Sequence, residues 1–116
     1  MGFWSKFACF NPIYQSRLHA DECIERILAS KGTFGTDCLN LYHYEYRLLS
    51  KNQIYFIFKG SRFGKAVKTE YLATFYNNSN GCRIVLTFQH ELLGLPPMTS
   101  EYHLDIFMKE KMHAYR

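Results

Sequence analysis

The stretch LNLYHYEYRLLS, residues 39 to 50, decides the fold class, because the spacing of apolar residues changes here from a helical period to a period of two. Two sets of side chains alternate along it: Tyr42, Tyr44, Tyr46 and Leu48 on one side, and His43, Glu45 and Arg47 on the other. Successive side chains of a β-strand point to opposite faces of a sheet. We therefore predict a strand whose tyrosines face a core and whose charged triplet faces solvent.

Three later segments, residues 54–59, 67–76 and 83–90, show the same alternation of apolar and polar side chains. The connections read SKNQ (50–53), GSRFGK (60–65) and NNSNG (77–81). Asn and Gly tolerate positive φ, so the last of these is a strong turn signal. Four strands with short connections predict an antiparallel meander.

Two segments with helical spacing flank the predicted strands. The first has apolar residues at Ala20, Cys23, Ile24, Ile27 and Leu28, with Ser16 as the expected N-cap and Gly32 as the expected stop. The second has them at Leu104, Phe107, Met108, Met112 and Tyr115, with Thr99 or Ser100 as the expected cap. An antiparallel sheet must cover its apolar face, and two amphipathic helices can do so. The predicted fold is α+β: an N-terminal helix, a four-stranded antiparallel meander and a C-terminal helix in a two-layer sandwich.

Size and composition predict one domain. The chain has 116 residues, of which 47% are hydrophobic and 17% aromatic, enough for a core without metals or disulfides. We place this domain at residues 16–116, behind an aromatic arm at residues 1–15. Aromatic residues recur at helical spacing in the arm, which is also compatible with a membrane-surface helix. We favour an arm packed on the core, since Pro12 interrupts any helix.

The cysteines and the hydropathy pattern predict a cytoplasmic protein. The four cysteines, Cys9, Cys23, Cys38 and Cys82, include no CxxC pair and are too sparse for a secreted disulfide scaffold. We expect reduced thiols, although the even count leaves a single disulfide open. The sequence contains no run of 18 apolar residues, so we predict no transmembrane helix.

No motif in the sequence identifies a reaction, so enzyme activity stays undecided and no catalytic residue, metal ligand or cofactor is assigned. The segment GSRFGKA (60–66) has three residues between its glycines and Ala66 after the lysine, which departs from the phosphate-binding loop. His19 and Cys23 have a spacing that metal ligands use, but no second pair is spaced to complete a site.

The polar side of the predicted sheet is the most informative feature. It carries apolar residues on adjacent strands, which a fully solvated face does not require. We predict a non-catalytic protein-binding module, of self-association or inhibitor type, that contacts a partner protein or a second copy of itself. The predicted contact residues are His43, Glu45, Arg47, Tyr55, Ile57, Leu72, Tyr76 and Val85.

Two alternatives remain open at this level. A strongly curled sheet can enclose a ligand or substrate pocket between sheet and helices, lined by Tyr42, Tyr44, Tyr71 and His90, because buried tyrosine hydroxyls need polar partners. The basic segment 59–68 can instead contact phosphates or weakly bind nucleic acid through Arg62, Lys65 and Lys68. Against nucleic acid, the net charge of +4 is spread along the chain and is not concentrated in one stripe.

Overall fold

The structure is a computed structural model, and it describes residues 11–30, 32–34, 42–62, 65–89 and 101–116. The elements in chain order are β1 (Ile13–Ser16), α1 (Ala20–Ala29), β2 (Thr33–Phe34), β3 (Tyr42–Ser50), β4 (Gln53–Arg62), β5 (Lys65–Asn78), β6 (Gly81–Phe88), α2 (Glu101–Met112) and β7 (Ala114–Tyr115). The predicted arm up to residue 10, Cys9, Cys38, His90 and the expected caps Thr99 and Ser100 lie outside the described residues.

The described strands form one antiparallel sheet of seven, in the order β2-β3-β4-β5-β6-β1-β7. The α+β class and the central meander β3-β4-β5-β6 are confirmed. The prediction of four strands is wrong, because β1, β2 and β7 are also in the sheet. These three strands have only two to four residues each, which is too short for an alternating pattern to stand out.

Strand β1 forms where the sequence predicts the end of an arm. Its partner is β6, and the pairing places Tyr14 opposite Ile84. Two residues ahead of β1 extend this contact: Leu86 N–H donates to the Pro12 carbonyl at 3.0 Å, and Phe88 N–H donates to Asn11 Oδ1 at 2.8 Å. These backbone N–H groups at the edge of β6 thereby bond to the chain; without β1 and the residues ahead of it they would have to bond to water.

The two hairpin connections on either side of β5 differ from each other. The predicted loop at 60–65 is mostly strand, because β4 continues to Arg62 and β5 begins at Lys65. The predicted turn at 77–81 is confirmed, with Asn78 paired to Gly81. Gly81 has a φ of 129°, and a Cβ there would collide with the Ser16 carbonyl oxygen, so only glycine fits.

Helix α1 begins later than predicted. Ser16 is the last residue of β1, so its assignment as the N-cap is wrong. Instead the N–H of Ala20 donates to Asn77 Oδ1 at 2.8 Å, so a side chain from β5 satisfies one free donor at the helix N-terminus. The helix ends at Ala29, before the predicted stop at Gly32.

Both helices cover the same face of the sheet. Ile27 of α1 and Phe107 of α2 are fully buried in one core with Phe56, Phe58 and Tyr71 of the strands. Two residues of the predicted helical stripes are not buried in this core: Leu28 is 48% exposed on α1, and Tyr115 is 50% exposed in β7. The chain leaves the helix at His113, whose φ is 50°, and this change of direction ends the α2 stripe at Met112.

Ser16 is the centre of a buried polar network that joins β1, α1 and α2. Its hydroxyl donates to the Met112 carbonyl at 2.5 Å and accepts from Leu18 N–H at 3.0 Å. The thiol of Cys23 also approaches it at 3.5 Å, and Cys23 lies 3.8 Å from Cys82 of β6, measured between the sulfur atoms. Since Ser16, Cys23 and Cys82 are all 0% exposed, these contacts replace hydrogen bonds to water.

Candidate functional site

The outward-facing side of the sheet, called here the outer face, is defined by the alternation along β3. Tyr44 is 4% exposed on the inner side, whereas His43, Glu45 and Arg47 are exposed on the other. The predicted inner position is therefore confirmed for Tyr44 and for Tyr46, which packs against the core, but it is wrong for Leu48, which is 50% exposed near the end of the strand. The same alternation continues on β4, where Phe56 and Phe58 are buried in the core and Lys59 is exposed.

The antiparallel register aligns the outward residues in five rows across the strands. In order along the strands these rows are His43-Lys59-Lys68, Glu45-Ile57-Glu70, Arg47-Tyr55-Leu72-Thr87, Gln53-Thr74-Val85-Ile13 and Tyr76-Arg83-Gln15-Tyr115. All eight predicted contact residues fall on this face. The structure thus brings together residues from 43 to 85 that the sequence separates.

Charged residues concentrate in the first two rows. Lys59 lies directly opposite Lys68, an arrangement that destabilises a strand pair unless opposite charges are near. Glu45 supplies one such charge, at 3.1 Å from Lys59, and Glu70 supplies another, at 3.8 Å from Lys68. The side chains of Lys59 and Glu45 are 47% and 61% exposed, so this pair adds little to stability.

Tyr55 links the charged rows to the apolar rows. Burial raises the pKa of its hydroxyl, and the negative charge of nearby Glu70 raises that pKa further. Tyr55 lies opposite Leu72, and Leu72 lies opposite Thr87. The centre of the outer face is therefore apolar in character, with the phenol of Tyr55 and the carboxylate of Glu70 at its border.

Ile57 is less available than the sequence suggests. It is 8% exposed and is the one described buried hydrophobic residue that lies outside the main core. Its cross-strand neighbours in the register are Glu45 and Glu70. Little of Ile57 can contact a partner, and a charge placed there would be buried.

The far rows contain exposed apolar residues that the sequence reasoning missed. Ile13 is 52% exposed and Tyr115 is 50% exposed, and with Tyr76 at 48% they are three of the large exposed hydrophobic side chains of the described chain. Ile13 and Tyr115 were missed because β1 and β7 were not predicted as strands. Arg83 lies over the ring of Tyr76, with 5.6 Å between its guanidinium carbon and the ring centroid.

The space between sheet and helices, where the alternative pocket is predicted, is filled with aromatic side chains in the described residues. Phe107 contacts Tyr44, Phe56 and Phe58, with ring centroids 5.0, 5.3 and 4.9 Å apart. Tyr71 packs on Phe88 at 5.6 Å. Of the other predicted pocket residues, His90 and the side chain of Tyr42 lie outside the described part.

The basic segment is a hairpin. Arg62 and Lys65 face each other across the ends of β4 and β5, and their side chains are not among those described. Lys68 is exposed and belongs to the first row of the outer face. Its ion pair with Glu70 balances its charge locally, so this position does not add to a purely basic surface.

An open cleft of about 890 Å³ lies between the start of α1 and the β3–β4 turn, and is lined by His19, Asp21, Glu22, Lys51 and Tyr76 among others. Clefts of about 410 and 380 Å³ lie beside β7 and along α1. Within the described ranges, no group of three metal-ligating side chains is found, and no helix has the length and hydropathy needed to cross a membrane.

Comparison of the chain with protein-family models, with curated proteins and with solved structures finds no match. Function therefore has to be inferred from the surface itself.

Proposed function

We propose that this chain is a non-catalytic protein-binding module whose outer face docks on a second copy of itself. The supporting observation is the position of Ile13, Tyr76 and Tyr115, which are about half exposed on the sheet face opposite the helices. Large apolar side chains exposed together with a charged border are characteristic of protein interfaces. A cytoplasmic location is part of this proposal.

The arrangement of charges along β5 favours a second copy of the chain as the binding partner. Leu72 is the central residue of the outward set on β5, with Lys68 four residues before it and Tyr76 four residues after it. A two-fold axis that crosses the strands at Leu72 places Lys68 of each copy opposite Tyr76 of the other. Ammonium groups bind the faces of tyrosine rings, so the two ends of the face are complementary under this symmetry.

The size of the face indicates a weak and reversible contact. The strands from β3 to β7 span about 24 Å at a spacing of about 4.8 Å, and the distance from Lys68 to Tyr76 along β5 is about 27 Å. The projected area is then about 650 Å² per copy, below the roughly 800 Å² per partner of a typical stable complex. We expect a dimer that dissociates on dilution in the micromolar range.

Sedimentation velocity over a concentration series tests the proposal. The wild type is expected to shift from monomer to dimer, and Leu72→Asp is expected to weaken the dimer by about tenfold or more, because two carboxylates must then be desolvated side by side. Leu28→Asp is the matched control: Leu28 is 48% exposed on α1, away from the outer face, so the control should dimerise normally.

Two further results make the test decisive. If Leu72→Asp lowers the melting temperature, Tyr76→Ala replaces it, because Tyr76 is 48% exposed and the change leaves the core intact. A wild type that remains monomeric up to about 1 mM would contradict the proposal that a second copy of the chain binds the outer face. Equal weakening by Leu28→Asp would move the contact away from the outer face.

A further inference from the structure

The thiols of Cys23 and Cys82 lie in contact inside the domain. Cys23 is on α1 and Cys82 is the second residue of β6, both are 0% exposed, and their sulfur atoms are 3.8 Å apart. A disulfide has an S–S distance of about 2.05 Å, so an approach of roughly 1.8 Å would bring the sulfurs to bonding distance. In the structure both cysteines are free thiols.

The two sulfurs are not equivalent. The hydrogen bond between the thiols lowers the pKa of Cys23, against the opposing effect of burial, because the neighbouring S–H can donate to the Cys23 thiolate. The same hydrogen bond, together with burial, raises the pKa of Cys82. Cys23 also lies on α1, whereas Cys82 is held in a strand that is paired on both sides, so we assign the attack to Cys23 and the resolving step to Cys82.

We propose that Cys23 and Cys82 form a redox-reversible pair that, with a small-molecule disulfide as oxidant, closes into a disulfide tying α1 to β6. This inference is independent of the proposed docking surface, since both residues lie on the inner side of the sheet with the core.

The chemistry requires two exchange steps. The Cys23 thiolate attacks one sulfur of oxidised glutathione, the glutathione S–S bond breaks, and one glutathione leaves as a thiolate that takes up the proton lost by Cys23. Cys82 then loses its proton and attacks the Cys23 sulfur, and the second glutathione leaves as a thiol. Two electrons pass from the protein to the oxidant, and the products are one protein disulfide and two molecules of reduced glutathione.

Access to the buried pair depends on α1. The contacts that fasten this ten-residue helix to the rest of the domain include the Ala20 N–H bond to Asn77 and the bonds from Arg26 to the carbonyls of Lys111 and Glu110, at 2.7 and 3.4 Å. Opening of α1 exposes Cys23 to the oxidant, and its return brings the mixed disulfide onto Cys82. Asn77→Ala removes one of these bonds, so we expect it to speed the oxidation several-fold.

The test uses a chain in which Cys9 and Cys38 are replaced by serine, so that only the pair remains. Incubation with oxidised glutathione is expected to lower the intact mass by about 2 Da, to link the Cys23 and Cys82 peptides, and to raise the melting temperature by about 10 °C, because the bond closes a long loop in the unfolded chain. Dithiothreitol should reverse all three changes.

The matched controls are Cys23→Ala and Cys82→Ala in the same background, neither of which should lose mass. If the background variant does not fold, peptide mapping of the oxidised wild type replaces it, with the Cys23–Cys82 link expected to predominate. Persistence of two free thiols, two glutathione adducts without a link, or a link that leaves the melting temperature unchanged would each overturn the proposal.

Discussion

Strand β4 has two faces that differ in what covers them. On the inner face, Phe56 and Phe58 are at most 1% exposed and their rings pack on Phe107 of α2. On the outer face, Tyr55 is partly buried among its neighbours within the sheet, and the exposed Lys59 forms an ion pair with Glu45. The backbone is the same for both faces, so the difference lies in the side chains and in the helices above them.

This difference separates stability from recognition. Burial of an aromatic ring against other rings contributes several kcal/mol, whereas an exposed ion pair contributes a few tenths. We therefore expect the inner face to determine the free energy of unfolding. The outer face can vary at little cost in stability, which suits a surface that binds a partner.

The largest expected difference between the faces is seen on removing an aromatic ring. Phe107→Ala deletes the ring that contacts Tyr44, Phe56 and Phe58, and should lower the free energy of unfolding by about 3–5 kcal/mol. Tyr76→Ala on the outer face should cost about 1 kcal/mol or less. Urea unfolding measures both, and equal losses would break the distinction between the faces.

The next largest effect concerns the buried hydroxyl of Ser16. Ser16→Ala leaves the Met112 carbonyl and the Leu18 N–H without their partner in the core, and should destabilise the protein by about 1–3 kcal/mol. Ser50→Ala is the matched control, because the Ser50 hydroxyl bonds to Asn52 in an exposed turn. Thermal denaturation gives the melting temperatures of the two variants, and that of Ser16→Ala should be the lower. Similar melting temperatures would contradict a structural role for Ser16.

A smaller effect appears at high pH through Tyr14. This side chain is 1% exposed, and burial together with its 2.7 Å hydrogen bond to Asp105 raises its pKa above the usual range. In the unfolded chain a tyrosine loses its proton near pH 10, while the folded protein keeps it, so the free energy of unfolding falls as the pH rises above about 10. The stabilisation is fully present below that pH.

Tyr14→Phe should therefore flatten the decrease in stability between about pH 9.5 and 11.5, since phenylalanine cannot ionise. Urea midpoints measured across this range provide the comparison with the wild type. An unchanged slope in the variant would mean that Tyr14 ionises equally in the folded and unfolded states.

The smallest effect is expected on the outer face itself. Glu45→Gln removes the 3.1 Å ion pair with Lys59, and should change the free energy of unfolding by about 0.5 kcal/mol or less, because both side chains are about half exposed. High salt should reduce this difference further. A loss comparable to that of Ser16→Ala would show that the charged rows are structural.

Much of the fold could be predicted because β3 to β6 are long enough for alternation to be visible. Tyr44 and Phe56 were placed on the inner face by that pattern alone. Strand β7 could not be predicted, because Tyr115 also continues the helical spacing of α2, and only the turn at His113 separates the two. Strand β1 was missed because its four residues follow a proline and carry too few alternations.

The candidate surface could be predicted only in part for the same reason. Leu72, Tyr76 and Val85 lie on strands with a clear period, and the structure places them on the outer face. Ile13 and Tyr115 join that face only through the pairing of β1 with β6 and β7. Ile57 is 8% exposed although it alternates with core residues, and no local pattern in the sequence predicts that burial.

The docking proposal is tested most directly by mapping backbone amide chemical shifts of the wild type on dilution from about 1 mM, a range that covers weak dimers. We expect concentration-dependent shifts at outward residues such as Leu72, Tyr76 and Ile13, with the inner-face residues Phe56 and Phe58 much less affected. Shifts confined to the surfaces of α1 and α2, or an identical spectrum at every concentration, would contradict docking through the outer face.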